Sequence, residues 1–292
     1  MNDFDDCNSV NSESGLLFCS ERKVWSGEGT VIGNDKVAEL TFRLSVAVDC
    51  NFPAVCSGQF IMIRLANDIG LLLGRPLAVY KVRRDDVSFG GCEVVELIYL
   101  VAGRVTSRFS KLVVGERVRI WGPLGRGFDD EFSGHTILVA GGVGHVPFLM
   151  LSEKLGRAKL SRVTLLYGAR SLGRVVPLDD FERAGVEVLV STEDGSFGFR
   201  GFVTELVDRV YRRGELTRIL CCGSTPMLKA AFEVARKLEL PCVVSLETPM
   251  VCGLGLCYGC VVKVKDNNDA NGWSYQRTCI EGPSFDAYNL IF

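Results

Sequence analysis

Between Val24 and Trp121 apolar residues recur in short runs separated by turn residues, as in Phe60-Ile61-Met62-Ile63, Leu77-Ala78-Val79-Tyr80-Lys81-Val82 and Val94-Val95-Glu96-Leu97-Ile98-Tyr99-Leu100-Val101. Short β-type runs at close intervals, with one helix predicted near Val105 to Leu112, point to a small antiparallel barrel. After the turn-rich Gly122-Pro123-Leu124-Gly125-Arg126-Gly127-Phe128 the pattern becomes apolar strand, loop, then helix. Strands are predicted at Thr136 to Ala140, Arg162 to Tyr167, Val186 to Ser191, Arg218 to Cys222 and Cys242 to Leu246, with helices at Pro147 to Leu155, Val203 to Arg212 and Met227 to Leu238. Strands alternating with helices imply a parallel sheet covered on both faces. From residue 244 onward the chain reads as a cysteine- and glycine-rich loop and then a hairpin, Val261 to Lys265 and Trp273 to Thr278, around the polar turn DNNDANG.

The expected fold class is therefore a β-barrel plus an α/β domain. A polar, flexible arm is expected over residues 1–23, the barrel over 24–130, the parallel-sheet domain over 131–243 and a small C-terminal segment over 244–292. A 47% apolar content over 292 residues suits two real cores.

Charge narrows the partners. Thirty-three basic against thirty-five acidic residues leave a formal charge of -2, which argues against a general nucleic-acid or anionic-membrane surface. Small molecules or other proteins remain. No run approaches the roughly 20 apolar residues that span a bilayer, and residues 1–23 lack the basic start and apolar centre of a signal peptide. A cytoplasmic setting is expected, where cysteines serve as buried thiols, metal ligands or redox groups more often than as disulfides.

Three of the twelve cysteines, Cys252, Cys257 and Cys260, fall in the stretch ETPMVCGLGLCYGCVVKV with the spacing C-x4-C-x2-C. A hairpin returns its second strand to where the first began, so Cys279, just after the hairpin, is expected beside the loop. Structural zinc usually takes two C-x2-4-C knuckles, whereas C-x4-C-x2-C with a distant fourth cysteine is the plant-type [2Fe–2S] arrangement. Gly253, Gly255 and Gly259 suit a loop that wraps a cluster with its amides near the sulfurs. A cluster fits the spacing best; zinc and a plain glycine-rich loop with buried thiols are the alternatives. Cys7, Cys19, Cys50, Cys56, Cys92, Cys221, Cys222 and Cys242 have no partners at ligand spacing and are read as ordinary thiols.

Ile137-Leu138-Val139-Ala140-Gly141-Gly142-Val143-Gly144-His145-Val146-Pro147 places a glycine turn between a strand and a helix expected to begin near Pro147. Such a turn lets backbone amides approach a phosphate. It is G-G-x-G-x-x-P rather than the dinucleotide fingerprint, so alone it is a weak signal. The turns at 167–171, 192–195 and 222–227 also follow predicted strands, at the edge where open α/β sheets bind ligands. Arg75 in Gly74-Arg75-Pro76-Leu77 could pair with a phosphate or be merely exposed, and Arg170 could meet a 2′-phosphate or be solvated. His145, one of two histidines, is expected to line the glycine turn. No hydrolase, metalloprotease or Walker motif is present in the sequence.

In this order, these features resemble the ferredoxin–NADP reductase superfamily. The motif M-x-C-G-x-G-x-C-x-G-C at Met250 to Cys260, with Cys279-Ile280-Glu281-Gly282-Pro283-Ser284-Phe285 after it, narrows the resemblance. Over about residues 24–288 the chain resembles the family of electron-transfer subunits of the NAD-dependent (class 1B) dihydroorotate dehydrogenase. The resemblance implies FAD on the barrel, NAD on the α/β domain and a [2Fe–2S] cluster on Cys252, Cys257, Cys260 and Cys279. The family's flavin elements would fall on Arg75-Pro76-Leu77-Ala78, Ile98-Tyr99-Leu100 and Val105-Thr106, and the nicotinamide loop on Gly141, Gly142 and Gly144. Ala78 stands where the family has a hydroxyl and Val105 where it has a glycine.

The resemblance also implies a place in de novo pyrimidine (UMP) biosynthesis. By that resemblance a separate FMN-containing catalytic subunit oxidises dihydroorotate, and the two chains form a heterotetramer. Electrons pass singly through the cluster to FAD, which reduces NAD⁺. No general acid or base for pyrimidine chemistry is then expected on this chain. Glu247 and Thr248 face either the flavin edge or the partner, or simply solvent. The rival readings are a sulfhydrogenase gamma-type subunit, the flavin and iron–sulfur subunit of a ferredoxin-dependent NADH–NADP oxidoreductase, and a zinc-stabilised binding module.

Overall fold

The computed structural model describes residues 24–67, 70–85, 91–157 and 161–292. The expected arm at 1–23, with Cys7 and Cys19, lies outside the described residues. In chain order the strands and helices are β1 (Trp25–Ala38), β2 (Thr41–Val48), β3 (Phe60–Leu65), β4 (Arg75–Asp85), β5 (Cys92–Leu100), α1 (Arg104–Phe109) and β6 (Arg117–Leu124). There follow β7 (His135–Gly141), α2 (Leu149–Arg157), β8 (Arg162–Ala169), α3 (Asp179–Arg183), β9 (Glu187–Thr192), β10 (Phe199–Arg200), α4 (Val207–Val210), β11 (Thr217–Cys222), α5 (Thr225–Lys237) and β12 (Cys242–Ser245). The chain ends with β13 (Val261–Lys265), β14 (Trp273–Arg277) and β15 (Ser284–Asp286).

The first six strands close an antiparallel barrel in the order β1-β2-β5-β4-β3-β6. Period-two alternation turns Val31, Leu44, Ile61, Ile63, Leu97 and Ile120 inward, where all six are fully buried. Closure leaves no sheet edge unpaired. Helix α1 caps this core with Val105 and Phe109.

The second sheet runs β10-β9-β8-β7-β11-β12-β15, parallel throughout except for β15, which pairs antiparallel with β12. Both faces are buried, so its central strands are continuous apolar runs. Alternation still sorts them: Leu138, Leu165, Tyr167 and Leu220 serve one core, while Ile137, Val139, Leu166 and Ile219 serve the other. The first of these cores runs on into the barrel through Tyr80, Ile98 and Phe128.

Three local differences from the sequence reading have physical causes. The helix expected from Pro147 begins at Leu149, because residues Gly142–Phe148 first wind as a 3-10 turn that contains Pro147. The helix expected over 203–212 divides into a 3-10 turn, Val203–Leu206, and α4. Strand β15 was not anticipated: its three residues are too short for a periodic signal, and it takes its place beside β12 through tertiary pairing. Cys56 also departs from expectation, being disulfide-bonded.

Polar contacts fix the barrel against the second sheet. The Tyr80 hydroxyl donates to Asp180 at 2.9 Å, and Arg43 reaches both Asp180, at 3.4 Å, and the buried Glu96. Burial opposes ionisation of Asp180, but hydrogen bonds from Arg183 and Tyr80, with the Arg43 charge, outweigh it and hold the carboxyl below its usual range. A backbone bond from Glu39 N to Gly173 O, 2.8 Å, adds a second point of contact.

The connection between the two units is anchored by Arg218 of β11, which is 2% exposed. Its guanidinium donates to the Thr136 hydroxyl at 3.0 Å, to the Asp129 carboxylate at 3.1 Å and to the Asp129 carbonyl at 3.0 Å. Removing one partner of a buried pair strands the other. Arg218→Ala is therefore expected to cost about 3 kcal/mol, read as a lower urea midpoint; an unchanged midpoint would show that the pair contributes nothing to stability.

Candidate functional site

Between Met250 and Cys260 the chain forms no helix or strand; it is a series of bends shaped by glycine. Gly253 and Gly255 have φ of 72° and 77°, where a side chain would be strained. Gly253 also lies flat on the barrel: a Cβ there would come within 2.7 Å of Met62 and 2.9 Å of Leu124. Met250, Cys260 and Cys279 join Phe60, Met62 and Leu124 in one small buried cluster.

The β13–β14 hairpin brings Cys279 to the loop. Cys260 and Cys279 are buried with their sulfurs 3.3 Å apart, and Thr278 N donates to Cys260 O at 3.0 Å. Cys252 and Cys257 form a second, more exposed pair joined by a thiol hydrogen bond. Burial raises the Cys252 thiol, but amides of Leu254, Cys257 and Leu256 aimed at its sulfur overcome this and bring it down to about 7. At Cys279, burial and then the neighbouring Cys260 push the thiol up to about 12. Gly259 N likewise points at Cys257 Sγ, at 3.5 Å.

Among the described residues no group of three or more Cys, His, Asp or Glu side chains is disposed to hold a single metal ion. Tetrahedral zinc needs its ligands around one atom. Two thiol pairs ringed by amides instead suit a centre with two metal atoms and thiolate ligands, and such hydrogen bonds to sulfur tune a cluster. The donor set fits a [2Fe–2S] cluster. Around it Val251, Leu254, Leu256 and Tyr258 are exposed apolar side chains.

The glycine turn after β7 lies at the sheet's switch point. Strand β8 flanks β7 on one side and β11 on the other, with β12 beyond β11, so chain order reverses between β7 and β11. That carboxyl edge is where open α/β sheets take ligands. A Cβ on Gly144 would fall 2.1 Å from the Cys222 carbonyl, so only glycine lets the two turns touch. Gly141 packs on Met227 in the same way, and Gly142 turns at φ 54°. The turns after β8 and β9 are linked alongside by bonds from Glu193 N to Ala169 O, 3.1 Å, and Asp194 N to Arg170 O, 3.3 Å. Cys222, read as an ordinary thiol, sits at this edge. A Cys-Gly pair directly after a strand was the available signal. Burial raises its thiol to about 12, so it stays neutral.

His145 does not line the turn. It is fully buried beneath it, with Nδ1–H donating to Gly142 O at 2.8 Å and its ring held edge-on by Tyr80, Tyr167 and Phe181. Nε2 has no partner among the described residues.

The three expected flavin elements are only partly brought together. Ala78 and Ile98 face the core shared with the second sheet, against which Val143 of the glycine turn also packs. Arg75 opens β4, its guanidinium folded onto the Leu73 and Gly74 carbonyls at 3.3 and 3.0 Å. Pro76 pairs with Met62 across β3, while Leu77 packs toward the barrel core. Tyr99 points into that core and its hydroxyl donates to Asn34 Oδ1, so its side chain is not available to an outside ligand; Leu100 is exposed. Val105 also points inward, so its bulk does not crowd the loop before it. There Thr106 Oγ1 accepts from the Ala102 and Gly103 amides at 3.0 and 3.1 Å.

The family described as "Iron-sulfur cluster binding domain of dihydroorotate dehydrogenase B" matches residues 247–291. A dihydroorotate dehydrogenase B (NAD(+)) electron transfer subunit from Caldanaerobacter subterraneus subsp. tengcongensis is 34% identical over 269 residues, covering 92% of this chain and 99% of the relative. The subunit of the same name from Clostridium perfringens is 32% identical, covering 91% and 98%. A solved structure of an NADH-dependent reduced ferredoxin-NADP oxidoreductase, described for flavin-based electron bifurcation, superposes with a TM-score of 0.76 at 28% identity, covering 90% of this chain and 89% of that one.

Burial lowers His145 from 6.5 to about 4 against the opposing pull of its bond to Gly142. The unfolded chain therefore binds a proton that the folded chain refuses. This histidine's contribution is complete above about pH 6.5 and is lost as pH falls toward 4. His145→Gln should flatten the fall in urea stability across that window by on the order of 1 kcal/mol per pH unit; identical slopes would contradict a buried neutral imidazole.

Proposed function

This chain belongs to the family of dihydroorotate dehydrogenase B (NAD(+)) electron transfer subunits, and we propose that Cys252, Cys257, Cys260 and Cys279 hold its [2Fe–2S] cluster. It is an iron–sulfur flavoprotein oxidoreductase subunit that relays electrons between its catalytic partner and NAD⁺. When bound, FAD exchanges electrons singly or in pairs, the cluster singly, and NAD⁺ accepts a hydride. The observation that carries the assignment of ligands is the pair of thiol pairs with amides aimed at their sulfurs.

The chain's own residues bind and orient. In our reading the barrel, residues 24–130, seats FAD through Arg75, Pro76, Leu77 and Ala78, through Ile98 and the Tyr99 and Leu100 backbone, and through the loop braced by Thr106 beside Val105. Ala78 offers no hydroxyl, so one flavin hydrogen bond is given up there. Residues 131–243 take NAD at the switch-point edge, with Gly141, Gly142 and Gly144 lying close to its phosphates and the neutral Cys222 beside the nicotinamide end. Residues 244–292 carry the cluster, and amides aimed at Cys252 favour its thiolate form.

The partner in this proposal is an FMN-containing dihydroorotate dehydrogenase subunit, joined in a heterotetramer. The exposed Val251, Leu254, Leu256 and Tyr258 around the cluster loop support that choice, since apolar and aromatic side chains favour protein interfaces. A cytoplasmic location is part of it, because reduced thiolates need a reducing compartment. No helix among the described residues is long and apolar enough to cross a membrane.

Anaerobically purified protein should show flavin bands with a broad iron–sulfur shoulder and contain iron; a colourless protein with one zinc would overturn the ligand assignment. Cys257→Ser should lose iron and keep FAD, because the two sites rest on different segments. Loss of flavin and solubility together would mean that the loop serves folding. Mixed with its catalytic partner, the chain should reduce NAD⁺ at the expense of dihydroorotate. Reduction of NADP⁺ by NADH with ferredoxin, and no coupling to dihydroorotate, would favour the oxidoreductase represented by the structural neighbour instead.

A further inference from the structure

We propose that Trp121 is a positioning residue that fixes the first cluster cysteine relative to the flavin-binding edge of the barrel. The inference rests on the reading that this loop holds the cluster. Trp121 lies on β6, opposite Met62 of β3 and Ser26 of β1. Its indole Nε1–H donates to the Cys252 carbonyl at 2.8 Å, a contact across 131 residues. The same ring lies over Gly74, where a Cβ would come within 2.6 Å of it, immediately before Arg75. One rigid side chain thus touches both the loop's first ligand residue and the start of the Arg75-Pro76-Leu77-Ala78 element.

The loop needs such a brace. Of the carbonyls near its sulfurs, Cys252 O is held by Trp121 from the barrel and Gly255 O by Arg277 from the hairpin, at 3.2 Å. The Arg277 contact lies within the loop's own segment, so it can move with it; the Trp121 contact ties the loop to a closed barrel. Indole N–H is a donor only and is costly to leave unpaired when buried. Residues that orient metal ligands through such bonds typically change metal retention by about 10- to 100-fold when replaced.

The test compares the parent with Trp121→Phe, which keeps an aromatic ring and removes the donor, and with Trp273→Phe on the hairpin as a control. Iron release to a ferrous chelator, the electron paramagnetic resonance spectrum of the dithionite-reduced protein, flavin content and circular dichroism are read together. Trp121→Phe should keep its flavin and circular dichroism, release iron on the order of tenfold faster and show a broadened spectrum; Trp273→Phe should match the parent. An iron-loaded parent with a Trp121→Phe variant indistinguishable from it would overturn the positioning role alone, whereas a parent without iron would overturn the cluster reading itself. If Trp121→Phe does not fold, hydrogen exchange at the Trp121 indole of the parent decides: slow exchange supports the brace, and exchange at the rate of a free indole refutes it.

Discussion

A loop without regular hydrogen bonding can present thiolates at fixed positions only if something rigid holds it, and here the barrel wall does so. Gly253 lies against Met62 and Leu124, Cys252 O takes the Trp121 indole, and Arg126 N bonds Gly282 O at 2.6 Å. Each contact joins the C-terminal segment to β3, β6 or the residues after β6. The absence of a side chain on Gly253 is what permits this closeness, since its φ of 72° and contact distances under 3 Å both exclude a Cβ, and Gly255 in the same way lets the loop close on Ile280.

The same segment is tied at its far end to the second sheet. Strand β15 pairs with β12, and Leu246 N bonds Pro283 O at 2.9 Å. Held at both ends, the cysteine loop sits over the barrel while its chain continues from the parallel sheet. The Tyr80, Asp180, Arg43 and Glu96 network then holds barrel and sheet in one relation. Electron relay between groups on separate units depends on such fixed geometry, because the protein's contribution is position and electrostatics.

Much of this was readable locally. Alternating apolar positions revealed strands β3, β4 and β5, strand–helix alternation revealed the parallel sheet, and C-x4-C-x2-C with a cysteine after a hairpin pointed to two metal atoms. Strand β1 was harder to see, because its stretch Trp25–Ala38 mixes three glycines with charged residues and is held by pairing on both sides. The short helices were displaced or divided where 3-10 turns competed with the α-helical pattern.

Sequence alone was sufficient for the fold class and the family resemblance, because periodicity and motif spacing are properties of neighbouring residues. Folding alone decided which side chains face which way. His145 turned from the loop into an aromatic cage, and Tyr99 and Val105 went into the barrel core. It also made Trp121 a neighbour of Cys252. No local pattern encodes a contact between residues so far apart in the chain; it exists only once barrel closure and the pairing of β15 have brought both ends to one place.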